Sequence, residues 1–76
     1  MKNILKTIIE SLVEDKNAVE INETVEDKNV SYEVKVANND MGRVIGKQGR
    51  LAKSIRTVMK AAGGKDHKKV TVEFVD

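Results

Sequence analysis

The sequence predicts a two-layer α+β domain in which helices cover one face of a three-stranded mixed sheet. Segments with apolar residues at helical spacing and segments of alternating apolar and polar residues follow one another in the order α-β-β-α-α-β. A chain of 76 residues is near the lower size limit for independent folding and has room for one thin sheet backed by two or three helices. We therefore expect residues 1–76 to form a single domain.

The first half of the chain predicts a helix followed by a β-hairpin. Residues 1–14 carry a broad apolar stripe at helical spacing, which is typical of an amphipathic helix. Alternation then predicts strands over residues 19–26 and 30–36, joined by a polar turn at 26–29. The apolar residues expected on the inner faces of the strands are Val19, Ile21 and Val25, and then Val30, Tyr32, Val34 and Val36.

A short helix is predicted after the hairpin. Residues 38–40, with the sequence Asn-Asn-Asp, are suited to cap a helix N-terminus, and the helix should run from Met41 to Ile45. Gly46 is expected to end it, because glycine accepts a positive φ without steric penalty.

A longer helix and a last strand complete the chain. The helix is predicted to begin around Arg50 and to stop at Gly63 and Gly64, and alternation over residues 70–74 predicts a strand. If this strand is the parallel neighbour of the second one, the right-handed crossover places both intervening helices on one face of the sheet. The core-facing stripe of the longer helix is predicted to be Leu51, Ile55, Val58, Met59 and Ala62.

Basic and acidic side chains are separated along the chain. Residues 1–40 carry 5 Lys/Arg and 9 Asp/Glu, residues 41–65 carry 7 Lys/Arg and no acid, and residues 66–76 carry 2 Lys/Arg and 3 Asp/Glu. The net charge of +2 therefore conceals a purely basic block. Such a block is the electrostatic pattern expected for a phosphate-bearing partner, although a solvated basic helix face gives the same composition.

A segment inside the basic block, Gly46-Lys47-Gln48-Gly49, has the features of a phosphate-binding loop. A phosphate site needs backbone N–H groups without a Cβ in the way and a helix N-terminus, which carries partial positive charge. The two glycines and the helix predicted from Arg50 meet these conditions, and Lys47 and Arg50 add full charges.

Two other phosphate-binding motifs do not fit this segment. The P-loop has four residues between its first glycine and Gly-Lys-Ser/Thr. The spacing from Gly42 to Gly46 is one residue shorter, and Gln48 stands where the magnesium-binding hydroxyl is needed. The three-glycine dinucleotide fingerprint is absent.

The residues around the loop make it more specific. Val44-Ile45-Gly46-x-x-Gly49, between two short helices, resembles the signature of the KH (K-homology) domain, in which a GxxG loop clamps four nucleotides by their backbone. The order α-β-β-α-α-β is that of the type II KH fold, and the resemblance covers essentially the whole chain. The run over residues 42–62 is similar to small stand-alone bacterial KH proteins of the KhpA-like family. Many KH domains have a large aliphatic residue three positions after the second glycine, where this chain has Ala52. This difference leaves the base preference open.

The resemblance implies a role for each part of the motif. The two glycines would let the backbone touch phosphate, and Lys47 and Gln48 would form the exposed tip of the loop. Val44, Ile45 and Ala52 would contribute to an apolar groove for bases, with residues 34–37 of the second strand as its opposite wall. Independently of the family, four charges are placed near that groove, namely Arg43, Arg50, Lys53 and Arg56. The predicted RNA-binding residues are Arg43, Val44, Ile45, Gly46, Lys47, Gln48, Gly49, Arg50 and Lys53.

The expected function is therefore non-enzymatic binding of single-stranded RNA with weak base preference. Because one small module makes few phosphate contacts, we expect action as a homodimer or with a second RNA-binding protein. The resemblance implies self-association, a larger KH-containing partner and a bacterial cytoplasmic RNA chaperone or regulator. Two alternatives remain at this point: an adaptor that uses the KH fold to bind proteins, and a single-stranded DNA binder.

Other classes of function are not favoured by the composition. The chain has no Cys and a single His, His67, and its acids show no metal-ligand spacing, so we expect no metal, no cofactor and no small-molecule substrate. No signal peptide and no apolar run of membrane-spanning length is recognisable, which favours the cytoplasm. The only two aromatic residues, Tyr32 and Phe74, are expected in the core, so bases would not stack on the sheet.

Overall fold

The computed structural model describes residues 2–75, and its elements follow the predicted order. Residues 1 and 76, which belong to the predicted domain, lie outside the described residues. The first helix, predicted over 1–14, ends two residues early, and a 3-10 turn at Lys16–Ala18 leads into the first strand. The helices are α1 (Lys2–Leu12), α2 (Met41–Ile45) and α3 (Arg50–Gly64), and the strands are β1 (Glu20–Glu26), β2 (Asn29–Lys35) and β3 (Lys69–Val75).

The sheet is mixed and has the strand order β1-β2-β3. β1 and β2 form an antiparallel hairpin whose two-residue turn places Asp27 at a φ of 56°. β2 and β3 are parallel, with Tyr32 opposite Val72, so α2 and α3 form the predicted crossover between them. β2 is therefore the central strand, whereas β1 and β3 each have one open edge.

All three helices cover one face of the sheet. The inner residues of the second strand are buried as predicted, and they join the buried residues of the helices in one core. The alternate residues Ser31, Glu33, Thr71 and Glu73 are exposed on the other face. The buried apolar cluster consists of Leu5, Ile9, Val13, Val30, Tyr32, Val34, Val36, Val44, Ile55, Met59, Val70 and Val72.

The first strand is less buried than its alternation predicts. Ile21 is half-buried, but Val25 is 55% exposed, so the prediction of Val25 as a core residue is wrong. β1 is an edge strand, and Val25 is the last residue but one of that strand. On the same face, the Tyr32 hydroxyl donates to Glu23 Oε2 at 2.6 Å across the hairpin. Burial first, and then this hydrogen bond and the charge of Glu23, raise the pKa of the Tyr32 hydroxyl.

The buried stripe of α3 is rotated from the predicted one. Ile55 and Met59 are buried as expected, but the other buried positions are the small residues Ala52 and Gly63. Val58, predicted in the core, is 48% exposed. Small residues face the sheet because they let the helix approach it closely, and Leu51, Val58 and Ala62 lie instead on one flank of the helix.

Gly63 lies in the last turn of α3, close to the start of β3. The helix ends at Gly64, so the predicted stop at these two glycines is confirmed. A Cβ on Gly63 would lie 2.2 Å from Val70 Cγ2 and 3.1 Å from the Lys68 carbonyl oxygen. Space, and not backbone conformation, therefore requires glycine at this position.

Replacement of Gly63 by alanine is expected to destabilise the domain by about 1–3 kcal/mol, because Val70 must move to admit the methyl group. Gly64→Ala is the matched control, since nothing lies within 4 Å of a Cβ built there. It should be neutral or stabilising by at most about 1 kcal/mol, in line with helix propensity. Urea unfolding followed by circular dichroism measures both. Equal effects of the two substitutions would contradict this account of the packing.

No helix within residues 2–75 is both long enough and apolar enough to cross a membrane.

Candidate nucleic-acid interface

The loop between α2 and α3 has a backbone that favours glycine at both ends. Gly46 has φ 77° and ψ 175°, and Gly49 has φ 74° and ψ 10°. Gln48 is also left-handed, with φ 59° and ψ 25°. The prediction that Gly46 ends the first short helix at a positive φ is thus confirmed. The three residues bend the chain between the end of α2 at Ile45 and the start of α3 at Arg50.

Gly46 is held against the first turn of α3. A Cβ at this position would lie 2.6 Å from Leu51 Cβ and 3.0 Å from the Leu51 backbone nitrogen. Gly49 differs, because nothing lies within 4 Å of a Cβ built there. Gly46 therefore needs glycine for both conformation and space, and Gly49 for conformation alone.

The loop presents backbone donors toward solvent. The Gly46 N–H donates to the Gly42 carbonyl at 3.0 Å, and the Gly49 N–H donates to the Gly46 carbonyl at 3.2 Å. Within residues 2–75, the turn and cap hydrogen bonds do not engage the amide N–H groups of Lys47 and Gln48. These donors lie beside the N-terminus of the 15-residue helix α3, where the partial positive charge of the helix adds to them. The loop can therefore accept an anion.

Exposed cations surround the loop. Lys47, Arg50 and Lys53 are all exposed, and none of them forms an ion pair in the part of the chain that the structure describes. No acidic residue occurs between positions 41 and 65 to neutralise them. Their full charges are therefore available to a phosphate backbone.

Arg43 differs from the other predicted cations because its charge is already paired. Its Nη2 lies 2.6 Å from Glu14 Oε1, and its Nε lies 3.2 Å from Asp40 Oδ1. The side chain of Arg43 is 51% exposed, so its outer part still reaches solvent. The guanidinium connects the end of α1 with the start of α2, and less of its charge is free for a ligand.

Asp40 does not cap α2, although it stands at the N-cap position. The carboxylate is fully buried and accepts hydrogen bonds from the backbone N–H groups of Glu14 and Asp15, at 3.1 and 3.0 Å. These N–H groups follow the end of α1, so Asp40 links the two helices instead of capping its own. The hydrogen bonds from Asp15 and Glu14, followed by the charge of Arg43, hold the pKa of Asp40 below its ordinary value of 3.8.

The predicted apolar groove is only partly at the surface. Val44 is completely buried and Ala52 is 3% exposed, so both belong to the core beneath the loop. Ile45 and Leu51 are half-buried and supply the apolar surface next to Gly46. Any base near the loop would therefore meet a shallow surface.

The strand beside the exposed flank of α3 is β3, not the second strand. Val34 and Val36, expected in the opposite wall of the groove, are buried beneath the helices, and β2 is paired on both sides. The open edge near α3 belongs to β3, where Arg56 Nε donates to the Val72 carbonyl at 3.0 Å. The sequence indicated Arg56 as one of four cations near the groove, but not that it would bind the edge strand β3.

The described residues contain no group of three or more His, Asp or Glu side chains that could hold a metal ion.

The elements of the chain follow in the order α-β-β-α-α-β, the sheet is mixed, and a GxxG loop joins two successive helices. Together these features define a KH domain of type II. The comparison with known families agrees: the chain belongs to the KhpA/KhpB family of KH domains, whose model matches residues 2–74.

The curated relatives extend over the full length of the chain. It is 51% identical to the RNA-binding protein KhpA of Clostridium acetobutylicum, over 99% of this chain and 100% of the relative. Identity to the KhpA proteins of Listeria monocytogenes and Aquifex aeolicus is 41% and 37%, with 100% of this chain aligned and 100% and 96% of those proteins. No solved structure gives a significant match. The resemblance stated from the motif is thus confirmed.

Proposed function

We propose that this chain binds single-stranded RNA without catalysing a reaction, and that residues 46–49 clamp the phosphate backbone. The observation that carries the proposal is the pair of unengaged amide N–H groups at Lys47 and Gln48, beside a helix N-terminus and within an acid-free basic segment. The relatives named RNA-binding protein KhpA support RNA as the ligand.

The proposed complex contains about four nucleotides, with the backbone on the loop and the bases nearest the loop beside Ile45 and Leu51. Lys47, Arg50 and Lys53 neutralise phosphates, and Gly46 and Gly49 keep the approach to the backbone free of side chains. Arg43 contributes less because Asp40 and Glu14 already pair with it. Val44 supports the loop from the core.

The shallow apolar surface and the few cations imply weak, mainly electrostatic binding. Each neutralised phosphate of a single strand contributes about −0.7 to the slope of log affinity against log salt, so two to four contacts give roughly −1.5 to −3. Sequence preference of the loop itself is weak, because phosphate contacts carry no base information.

A single weak site gains affinity when it is duplicated. We therefore propose that the chain acts as a homodimer, or together with a larger KH-containing RNA-binding protein, as an RNA chaperone or regulator in the cytoplasm.

Reversal of the charge at the loop tip tests the clamp. The double variant Lys47→Asp, Gln48→Asp should bind a labelled single-stranded RNA of mixed sequence at least about tenfold more weakly than the wild type, because carboxylates would face the phosphates. Fluorescence anisotropy across a salt series measures affinity and slope, and circular dichroism confirms folding.

A matched control exists at the opposite end of the sheet. The variant Lys28→Asp, Asn29→Asp makes the same change of charge and amide at the hairpin, where both residues are exposed. It should retain most of the binding. Equal losses in both variants would mean that only net charge matters. Binding that is no weaker after the loop change would exclude the clamp, and equal affinity for DNA of the same sequence would remove the preference for RNA.

A further inference from the structure

The open edge of β3 carries an arginine whose position is fixed by the strand itself. The Lys69 N–H donates to the Lys28 carbonyl at 2.8 Å, so the main chain of residue 69 points toward β2. N–H and C=O groups alternate in direction along a strand, so those of Val70, Val72 and Phe74 point to the open side. Arg56 Nε donates to one of them, the Val72 carbonyl, at 3.0 Å.

A second contact holds the same side chain. The Arg56 guanidinium carbon lies 5.8 Å from the centre of the Phe74 ring, within the range of a cation–π interaction. The residue is nevertheless exposed, and the described chain offers no hydrogen-bond partner to its two Nη atoms. Arg56 is therefore preorganised: much of its rotamer freedom is already lost, while its outward N–H groups are free.

Arg56 also continues the line of cations that begins beside the loop. Lys53, Arg56 and Lys60 follow at intervals of three and four residues and form one flank of α3, which we term the basic flank. Six residues separate Arg50 from Arg56, or about 9 Å along the helix. Four nucleotides span at least about 10 Å even when stacked, so a strand that leaves the loop along the basic flank is long enough to reach Arg56.

We propose that Arg56 determines base specificity by donating two parallel N–H groups to an RNA base with two adjacent acceptors, with guanine, through O6 and N7, as the preferred base. This proposal rests on the proposed function, since it needs RNA on the loop. The planar fork of arginine matches the two acceptors of guanine, which is the commonest specific arginine contact to a base. Cytosine offers a similar pair, O2 and N3, on its Watson–Crick edge, whereas adenine and uracil have no two adjacent acceptors on any edge. The Hoogsteen edge of an unpaired base is accessible for such contacts.

The test compares four short single-stranded RNAs that differ at one position in a uridine background, with the variable base being A, C, G or U. Wild type should bind the guanine oligonucleotide about tenfold more tightly than the adenine and uridine ones, with the cytosine oligonucleotide between them. Arg56→Lys keeps the charge but lacks the fork, so it should retain the salt slope and lose the guanine preference. Phe74→Leu removes the ring beside the guanidinium and should weaken the preference without abolishing binding.

Lys60→Gln and Arg56→Gln form the matched pair, since both remove one charge from the basic flank. Lys60→Gln should weaken all four oligonucleotides equally, and Arg56→Gln should weaken the guanine oligonucleotide most. The proposal is overturned if wild type and Arg56→Lys rank the four RNAs in the same order of affinity. It is also overturned if Arg56→Gln loses the same affinity for all four RNAs, because Arg56 would then be a phosphate contact. Failure of the loop clamp is recognised separately, from undiminished binding by the Lys47→Asp, Gln48→Asp variant.

Discussion

Substitution of Asp40 by alanine is expected to lower the midpoint of thermal unfolding by roughly 10 °C, more than removal of any exposed acid. The carboxylate has no exposed surface and accepts the backbone N–H groups of Glu14 and Asp15 while it pairs with Arg43. Alanine would leave two donors and a guanidinium without their acceptor and would leave a gap between α1 and α2. A domain of 76 residues has little stability in reserve, so this loss should be visible in a simple melt.

Controls separate the contributions to this effect. Asp66→Ala removes an exposed carboxylate from the turn before β3 and should leave the midpoint nearly unchanged. Arg43→Gln removes the ion pairs but keeps both backbone hydrogen bonds, so it should cost less than half as much as Asp40→Ala. A midpoint for Asp40→Ala within the range of Asp66→Ala would show that the carboxylate does not join the helices.

The effect of Asp40 should depend on pH in a defined direction. Its folded pKa is lowered below 3.8, so its contribution is fully present above that value and is lost as pH falls through the folded pKa. The difference in unfolding midpoint between wild type and Asp40→Ala should thus be constant from pH 7 to about pH 5 and shrink below about pH 4. A difference that stays equal at pH 3 and pH 7 would mean that the charge of the carboxylate does not contribute.

Periodicity predicted the elements of this fold better than it predicted their burial. The strict alternation of β2 placed its inner residues in the core because a central strand is covered along its whole length. Val25 has the same alternation but lies at the end of an edge strand, and coverage there depends on how far the helices extend. In α3, Ala52 and Gly63 face the sheet, and such small residues give little hydropathy signal from which to find the buried side.

The loop of the candidate site was recognisable from local sequence, because glycine spacing and charge are local properties. The contacts that support it join distant parts of the chain. Asp40 binds the backbone of Glu14 and Asp15, which lie 26 and 25 residues away, and Arg56 binds Val72, 16 residues away. No sequence motif predicts either contact, because each contact depends on how the elements pack. The sequence therefore indicated which residues are charged but not which charges remain free for a ligand.

Gly46→Ala is the other substitution with a large expected effect, and it should reduce both stability and RNA binding. The backbone at φ 77° and ψ 175° lies in a region that only glycine occupies readily, which costs of order 1–3 kcal/mol for another residue. The new methyl would also lie 2.6 Å from Leu51 Cβ, an atom that cannot move without the start of α3. We expect a destabilisation of roughly 3 kcal/mol, since strain and overpacking add.

Gly49→Ala and Gly42→Ala turn this expectation into a graded series. Gly49 has φ 74° but open space around a Cβ, so alanine should cost only about 1–2 kcal/mol. Gly42 has neither constraint, and alanine there should be neutral or stabilising by up to about 1 kcal/mol. Urea unfolding should rank the losses Gly46, Gly49, Gly42, and anisotropy in the range where each variant is folded should rank RNA binding in the same order. Suppose instead that Gly46→Ala is folded and binds RNA as tightly as Gly42→Ala. The loop would then accept phosphate in a backbone conformation that any residue can adopt, and the clamp would not need the conformation of Gly46.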